Sequence, residues 1–358
     1  MKTAVILGTR PEIIKLAPVI KQLSGKKADF FVLHTGQHYS YEMDKLLFEQ
    51  LELPAPDYNL GVGSGTHAEV TGRILIEIEK VLLHEKPDVI LVEGDTNSIM
   101  AGALAAVKLG IKVGHIEAGL RSYDRSMPEE INRILTDHIS DYLFAPTAKA
   151  AELLAGEGIA DESIYVTGNT IVDAVYQNIE LAGKKVDVLK ALDLKAKEYL
   201  LLTLHRQENV DSRERFASII DGIKQASTEL SLPVYYPVHP RSRKMMAEFG
   251  LSTGNIIMSE PVDFLGFLQL ESNARLIFTD SGGVQEEACI LGVPCVTVRD
   301  NTERPETVEV GANIVAGTMP ENILKAARTM LGRENSWKNP FGDGKAAMRI
   351  IEILEGEL

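Results

Sequence analysis

The chain has 358 residues, 45% of them hydrophobic and 25% charged, with a formal net charge of −14 at pH 7. That length suits two domains of ordinary size, and the acidic balance excludes the basic surface on which non-specific nucleic-acid binding depends. No run of 18 apolar residues suggests a membrane span, and two cysteines, Cys289 and Cys295, make neither a disulfide framework nor a zinc site, so the composition reads as a cytoplasmic enzyme.

The opening run MKTAVILGTR has no small-residue cleavage site and leads at once into Arg-Pro-Glu, so it reads as a first strand and not a signal peptide. Strands are predicted at residues 4–7, 30–34, 89–92, 113–116 and 164–167. A second series is predicted at 199–204, 234–238, 256–258, 276–279 and 296–299. These runs are continuously apolar and separated by helical patterns, which implies parallel strands buried on both faces. Ile131, Leu135 and Ile139 recur four apart after Pro128, which suits a first helical turn. Phe216, Ile219, Ile220 and Ile223 trace one helical face, with Asp211 and Glu214 at capping-box spacing before it. Two βα-repeating halves follow, 1–168 and 169–339. The tail 340–358, with Ala346, Ile350, Ile353 and Leu354 at helical spacing, is expected to rejoin the first half.

In an open parallel sheet, ligands bind beyond the carboxyl ends of the strands. Charge is concentrated there. After the first strand, Gly8 permits close backbone approach and Thr9 with Glu12 has capping-box spacing. Arg10 stands at the positive helix end and Lys15 leans back toward it, making an anion site or else a capped helix with two solvated cations. In Glu93-Gly94-Asp95-Thr96-Asn97, Asp95 is a proton acceptor or a sugar-hydroxyl ligand, or else Asp95 or Thr96 caps the next helix. Glu117, just past an apolar strand, is costly unless functional or paired with Arg121, whereas His115 reads as structural. Glu129 and Glu130 complement a helix dipole, and only the neighbouring carboxylates lift Glu129 above that role.

The second half repeats the pattern. His205 ends a strand beside Arg206 and is expected to face the first-half carboxylates across an interdomain cleft, able to donate to a phosphate or move a proton. Ser281, Gly282 and Gly283 form a strand-to-helix turn whose backbone N–H groups can reach phosphate oxygens. Glu287, a turn deeper, can accept from a ribose diol, and Arg304 can reach the same diphosphate. Gly61 to Gly65 has the wrong spacing for a dinucleotide fingerprint and reads as a mobile loop. The eight histidines show no metal-ligand spacing.

Taken in order, GTRPEIIKLAP, EGDTNS, HIEAGLRS, MPEEINR, TLHRQEN, TDSGGVQEEA and DNTERPE resemble the non-hydrolysing UDP-N-acetylglucosamine 2-epimerase family over residues 8 to 306. The resemblance implies an α/β, GT-B-like fold of two Rossmann-like domains with an interdomain active-site cleft, and a homodimer. It implies no metal and no other cofactor. The family interconverts UDP-N-acetylglucosamine and UDP-N-acetylmannosamine by anti elimination of UDP, through 2-acetamidoglucal, and re-addition. On that basis Asp95, Glu117, Glu129 and His205 are catalytic. Arg10, Lys15, Phe267, Ser281, Gly282, Gly283, Glu287 and Arg304 hold the UDP-sugar. Ser64-Gly65 replaces an Arg-Gln pair of regulated bacterial relatives, which puts allosteric activation in doubt although Gln37-His38 remain. The alternatives are a GT-B glycosyltransferase and a 2-epimerase of a related UDP-diacetamido-uronic acid, whose branch MPEEINRILTD also resembles.

Overall fold

Continuous runs of Val, Ile and Leu become the central strands of two parallel sheets, because a strand with no polar face must be covered on both sides. The structure, a computed structural model, describes residues 1–36 and 41–357, with residues 41–43 as backbone alone. Gln37-His38 lie outside the described residues. The contacts gather into two units, Met1–Gln177 with Phe341–Leu358, and Asn178–Pro340.

In the first unit the strands are β1 (Lys2–Leu7), β2 (Asp29–His34), β3 (Tyr58–Asn59), β4 (Val89–Glu93), β5 (Lys112–Ile116), β6 (Tyr142–Ala145) and β7 (Ile164–Val166). They lie in the order β3-β2-β1-β4-β5-β6-β7, every pair parallel. The second unit has β8 (Leu200–Thr203), β9 (Val234–Pro237), β10 (Ile256–Ser259), β11 (Leu276–Thr279), β12 (Cys295–Thr297) and β13 (Asn313–Val315). Their order is β10-β9-β8-β11-β12-β13, again all parallel. Each order reverses beside the unit's first strand, which is the doubly wound Rossmann arrangement that an α/β, GT-B-like chain requires. Its crevice lies past the carboxyl ends of the strands at the reversal, β1 and β4 in one unit, β8 and β11 in the other. Three strands escape the sequence reading. β3 and β13 have two and three residues, and the four of β6 follow too closely on a helix to show a separate pattern.

Phe216, Ile219, Ile220 and Ile223 are buried as their spacing predicts, on the helix Arg213–Leu230. Its cap differs by one residue. Ser212 accepts from Arg215 N–H, whereas Asp211 is taken by the Arg241 guanidinium. The helix Pro128–Ile139 keeps only part of the expected face, since Ile139 packs against the core but Leu135 does not. Leu135 is 46% exposed, while Glu130, Asn132, Thr136 and Asp137 are buried. Thr136 donates to the Asn132 carbonyl at 2.8 Å, and the other three are buried because each finds partners, as described below. Ala346, Ile350 and Leu354 bury the tail helix Ala346–Glu357 against the helix Arg10–Lys26. Asp173 accepts from the Ala346 and Ala347 N–H groups at 3.1 and 3.0 Å and so satisfies the start of the tail helix.

The Gly61–Gly65 stretch is anchored where a mobile loop was expected. Val62 and Gly63 donate to the Thr35 and Gly36 carbonyls, and Val62 is buried. Cys289 and Cys295 are buried and unpaired, and burial pushes the Cys289 thiol up to about 12. Among the described residues no helix is long and apolar enough to cross a membrane.

Candidate active site

Beyond β1 the backbone turns at Gly8, where a Cβ would lie 2.0 Å from Thr35 Oγ1 and 2.4 Å from Ser98 Oγ, so only glycine fits. The helix Arg10–Lys26 starts immediately after, with Arg10 exposed at its first position. Glu12 is buried beneath it. One carboxylate oxygen accepts from Gly8 and Thr9 N–H at 2.6 and 3.0 Å, and the other from Thr96 Oγ1 at 2.6 Å. Thr96 therefore ties the ends of β1 and β4 together instead of capping the helix Asn97–Lys108 with its side chain.

Burial raises Glu12 to about 7 despite its three donors. The sign follows from linkage. Between pH 4.5 and 7 the folded chain keeps a proton that the unfolded chain releases, so this group lowers stability as pH rises through that window, by about 3 kcal/mol at most. Glu12→Gln can keep its carbonyl on the two amides and donate to Thr96. It is expected to flatten the fall in denaturant-derived stability between pH 5 and 8.

Lys15 joins acids, not an open anion site. Its Nζ lies 2.8 and 2.7 Å from the two Glu117 oxygens and 3.1 Å from Glu93 Oε1. Glu117 also accepts from Asn169 Nδ2 at 3.0 Å. Its backbone sits at φ 69°, a left-handed conformation that costs energy in a residue with a side chain and that clusters at functional sites. Glu93 is almost fully buried, and burial raises its carboxyl well above the usual range against the pull of Lys15.

Asp95, past β4, is partly exposed and ion-paired with Arg133. Arg133 also bonds Glu130 at 3.0 Å. Glu130 in turn accepts from Ser122 N–H, Ser122 Oγ and Tyr123 N–H, all at 2.9 Å, and so fixes the loop after Glu117. Asn132 donates to the Asp95 carbonyl at 2.9 Å. Glu129, beside these on the first turn of Pro128–Ile139, is exposed.

The pairing of Glu117 with Arg121, weighed from sequence, does not occur. Arg121 binds Asp137 at 2.6 Å and Glu157 at 2.6 Å. Asp137 also meets His115 Nδ1 at 2.6 Å and Gly119 N–H at 3.2 Å. The other His115 nitrogen faces the Gly94 carbonyl at 2.9 Å. Both ring neighbours can only accept, so the ring carries both protons. Burial opposes this, but Asp137 holds the His115 pKa above its ordinary value.

In the second unit Asp280 follows β11 and is fully buried. It accepts from His205 and Arg206 N–H at 3.1 and 3.0 Å and from Asn209 Nδ2 at 3.2 Å. Its Oδ1 is 3.1 Å from His205 Nδ1, which orients the ring. Ser281 caps the helix Gly282–Ile290. At Gly282 a Cβ would meet nothing nearer than 3.9 Å, and at Gly283 nothing nearer than 4.0 Å, so the protein's own packing does not demand either glycine. Glu286 holds Arg304 Nε at 2.7 Å, beside the same helix. Phe267 and Glu287 are each half-buried on neighbouring helices.

The structure thus gathers Asp95, Glu117 and Lys15 beyond β1, β4 and β5 of the first unit. It gathers His205 and Ser281 to Gly283 at the reversal of the second. Glu12 forms the capping box with Thr9 that its spacing predicts, whereas Glu93, Arg133, Asp137 and Asp280 are not singled out by the sequence. For Glu93 a signal existed, an acid closing the apolar run Val-Ile-Leu-Val, where burial is expensive.

The family model described as UDP-N-acetylglucosamine 2-epimerase matches residues 21–355. The chain is 57% identical, over 99% of both chains, to the UDP-N-acetylglucosamine 2-epimerase of Methanocaldococcus jannaschii. It is 42% identical, over 99% of both, to the UDP-2,3-diacetamido-2,3-dideoxy-D-glucuronate 2-epimerase of Pseudomonas aeruginosa. The crystal structure of the M. jannaschii enzyme in complex with UDP-GlcNAc and UDP superposes with a TM-score of 0.89, covering 99% of this chain and 100% of that one. These findings bear out the resemblance carried by the seven motifs.

Proposed function

The chain belongs to the UDP-N-acetylglucosamine 2-epimerase family of isomerases, and from that premise we propose that it interconverts UDP-N-acetylglucosamine and UDP-N-acetylmannosamine. The observation that carries this reading is the 57% identity to an enzyme of that name across 99% of both chains. The site chemistry supports a mechanism of anti elimination of UDP, a bound 2-acetamidoglucal, and re-addition.

The C2 hydrogen is not next to a carbonyl, so its removal must be helped by departure of the diphosphate at C1. Charge then grows on phosphate oxygens, and donors held in place beforehand lower that barrier. His205, oriented through Nδ1 by Asp280, has Nε2 left for such an oxygen, and the N–H groups of Ser281, Gly282 and Gly283 open a helix. Arg10 and Arg304 complete the set. Removal and return of the proton on opposite faces calls for more than one acid–base group, and Asp95, Glu117 and Glu129 fill these roles. Lys15 acts by holding both oxygens of Glu117 in place. Glu287 accepts from the ribose diol, and Phe267 adds to the nucleotide site.

Incubation in D₂O with UDP-N-acetylglucosamine should give the manno epimer carrying deuterium at C2. A folded protein that forms no epimer and exchanges no hydrogen sinks the reading for that sugar. The Pseudomonas relative favours a second substrate, a UDP-diacetamido-uronic acid, and running both sugars in parallel separates the two. A glycosyltransferase would instead consume donor only with an acceptor and leave C2 unlabelled.

Gly282→Ala is expected to leave the thermal midpoint unchanged, since its Cβ has room, yet weaken UDP about tenfold or more by obstructing a phosphate. Calorimetry with UDP against thermal unfolding checks both halves. We place the enzyme in a reducing cytoplasm, which suits its buried free thiols. We also read it as a homodimer, because Ile76, Leu83, Val107 and Leu135 expose apolar surface on helices of the first unit. Light scattering is expected to give twice the 39.3 kDa chain mass, and Leu135→Glu to shift it toward one.

A further inference from the structure

Two acids meet on the helices assigned above to the nucleotide. Glu271 lies on the helix Phe264–Asn273, one turn past Phe267 and on the same face. It is fully buried, and among the described residues neither of its oxygens has an N–H or O–H donor. What its carboxyl faces is Glu287, on the helix Gly282–Ile290. Two carboxyl groups in contact cannot both ionise, and the proton costs least on the one removed from water. Burial, with the charge of Glu287 added to it, raises Glu271 well above the usual carboxylate range. Glu271 is then the neutral partner and the donor, and Glu287 the anion. Packing alone does not account for an acid here. Its helix packs into the apolar core formed by Tyr199, Leu270, Ala274 and Ala288, and a methionine of similar size at this fully buried position would carry no buried polar group.

We propose that Glu271 is a positioning residue for the nucleoside: its carboxyl O–H donates to Glu287 and holds that carboxylate in the one orientation that accepts from both hydroxyls of a ribose diol. The proposal rests on the reading of Glu287 given above and goes one residue deeper. It separates two tasks. Glu287 touches the ligand, and Glu271 acts only through it. Removing Glu271 should therefore be felt at the ribose and not at the sugar ring.

The test uses calorimetry of the full-length protein with UDP and with 2′-deoxy-UDP. The wild-type protein is expected to bind the deoxy compound roughly tenfold more weakly, the cost of one hydrogen bond to a charged group. Glu271→Met should unfold at the same temperature or higher, bind UDP roughly tenfold more weakly, and lose most of the distinction between the two nucleotides. Its KM should rise with kcat within about twofold. Glu271→Gln, whose amide N–H replaces the O–H, should keep both the affinity and the distinction. A Met variant with the wild-type ratio overturns the proposal, and so does a folded Gln variant that loses the distinction. If wild type itself does not distinguish the nucleotides, or Glu287→Gln leaves the distinction intact, the ribose reading of Glu287 fails and takes the proposal with it.

Discussion

Glu117→Gln is expected to lower the turnover of UDP-N-acetylglucosamine by roughly a thousandfold while changing UDP affinity by less than about threefold. The size comes from the role. A positioned acid–base group contributes on the order of 10² to 10⁴ in rate, and an amide neither takes nor returns a proton. The selectivity comes from where the groups sit. Glu117 stands past β5 in the first unit, bonded to Lys15 and Asn169, whereas the groups proposed to hold the diphosphate, His205 and Ser281 to Gly283, belong to the second. The fold should tolerate the change, because the Glu93 carboxyl lies 3.1 Å from Lys15 and ionises more readily once the charge of Glu117 no longer opposes it. Lys15→Met makes the converse case. It leaves Glu117 without the cation that holds both of its oxygens, so turnover should fall here too, with UDP affinity again little changed. Steady-state kinetics with calorimetry of UDP decides the first variant. Equal losses in turnover and affinity would make Glu117 a binding group instead.

The sheets were legible because periodicity reports burial. Val89 to Val92 and Leu276 to Phe278 have no polar face, and both lie buried at the middle of a sheet. The reversal points were legible too, since Arg10, Asp95, His205 and Ser281 all follow strands that flank one. What periodicity misses is burial achieved by pairing. The helix Pro128–Ile139 has a clean apolar stripe, and a reader of that stripe turns it inward. The structure leaves Leu135 of it exposed and turns Asn132 and Asp137 inward, because they find Asp95, His115, Arg121 and Gly119 waiting. Those partners are 16 to 37 residues away in the chain, so no local spacing announces them. Lys15 was assigned to phosphate for the same reason. Its position at a helix start is local, and its partners on β4 and just past β5 are not.

Asp137→Asn tests that hidden network, and it is expected to cost about 3–5 kcal/mol of stability and lower the thermal midpoint by on the order of 10 °C. Asp137 is buried and is the shared acceptor of His115, Arg121 and the Gly119 N–H. An asparagine offers one oxygen where two are in use, and no charge. Arg121 retains Glu157, but His115 loses the group that does most to keep its ring protonated against burial, leaving the Gly94 carbonyl and the charge of Glu117 as weaker supports, and so shifts toward the neutral form. The pH dependence has a definite sign. A histidine whose folded pKa is raised contributes stability that is complete below its unfolded value near 6.5 and is lost as pH rises through the folded value. The difference in stability between wild type and variant should therefore narrow as the solution becomes more alkaline, leaving only the Arg121 contribution. Activity should fall as well, because His115 and Gly119 frame Glu117 on either side and His115 holds the turn at Gly94 that presents Asp95. Unfolding curves at pH 6 and pH 9, taken beside kcat at each pH, measure both effects. A variant with wild-type stability would mean that the buried charges compensate one another without Asp137, and the buried polar face of Pro128–Ile139 would then need another cause.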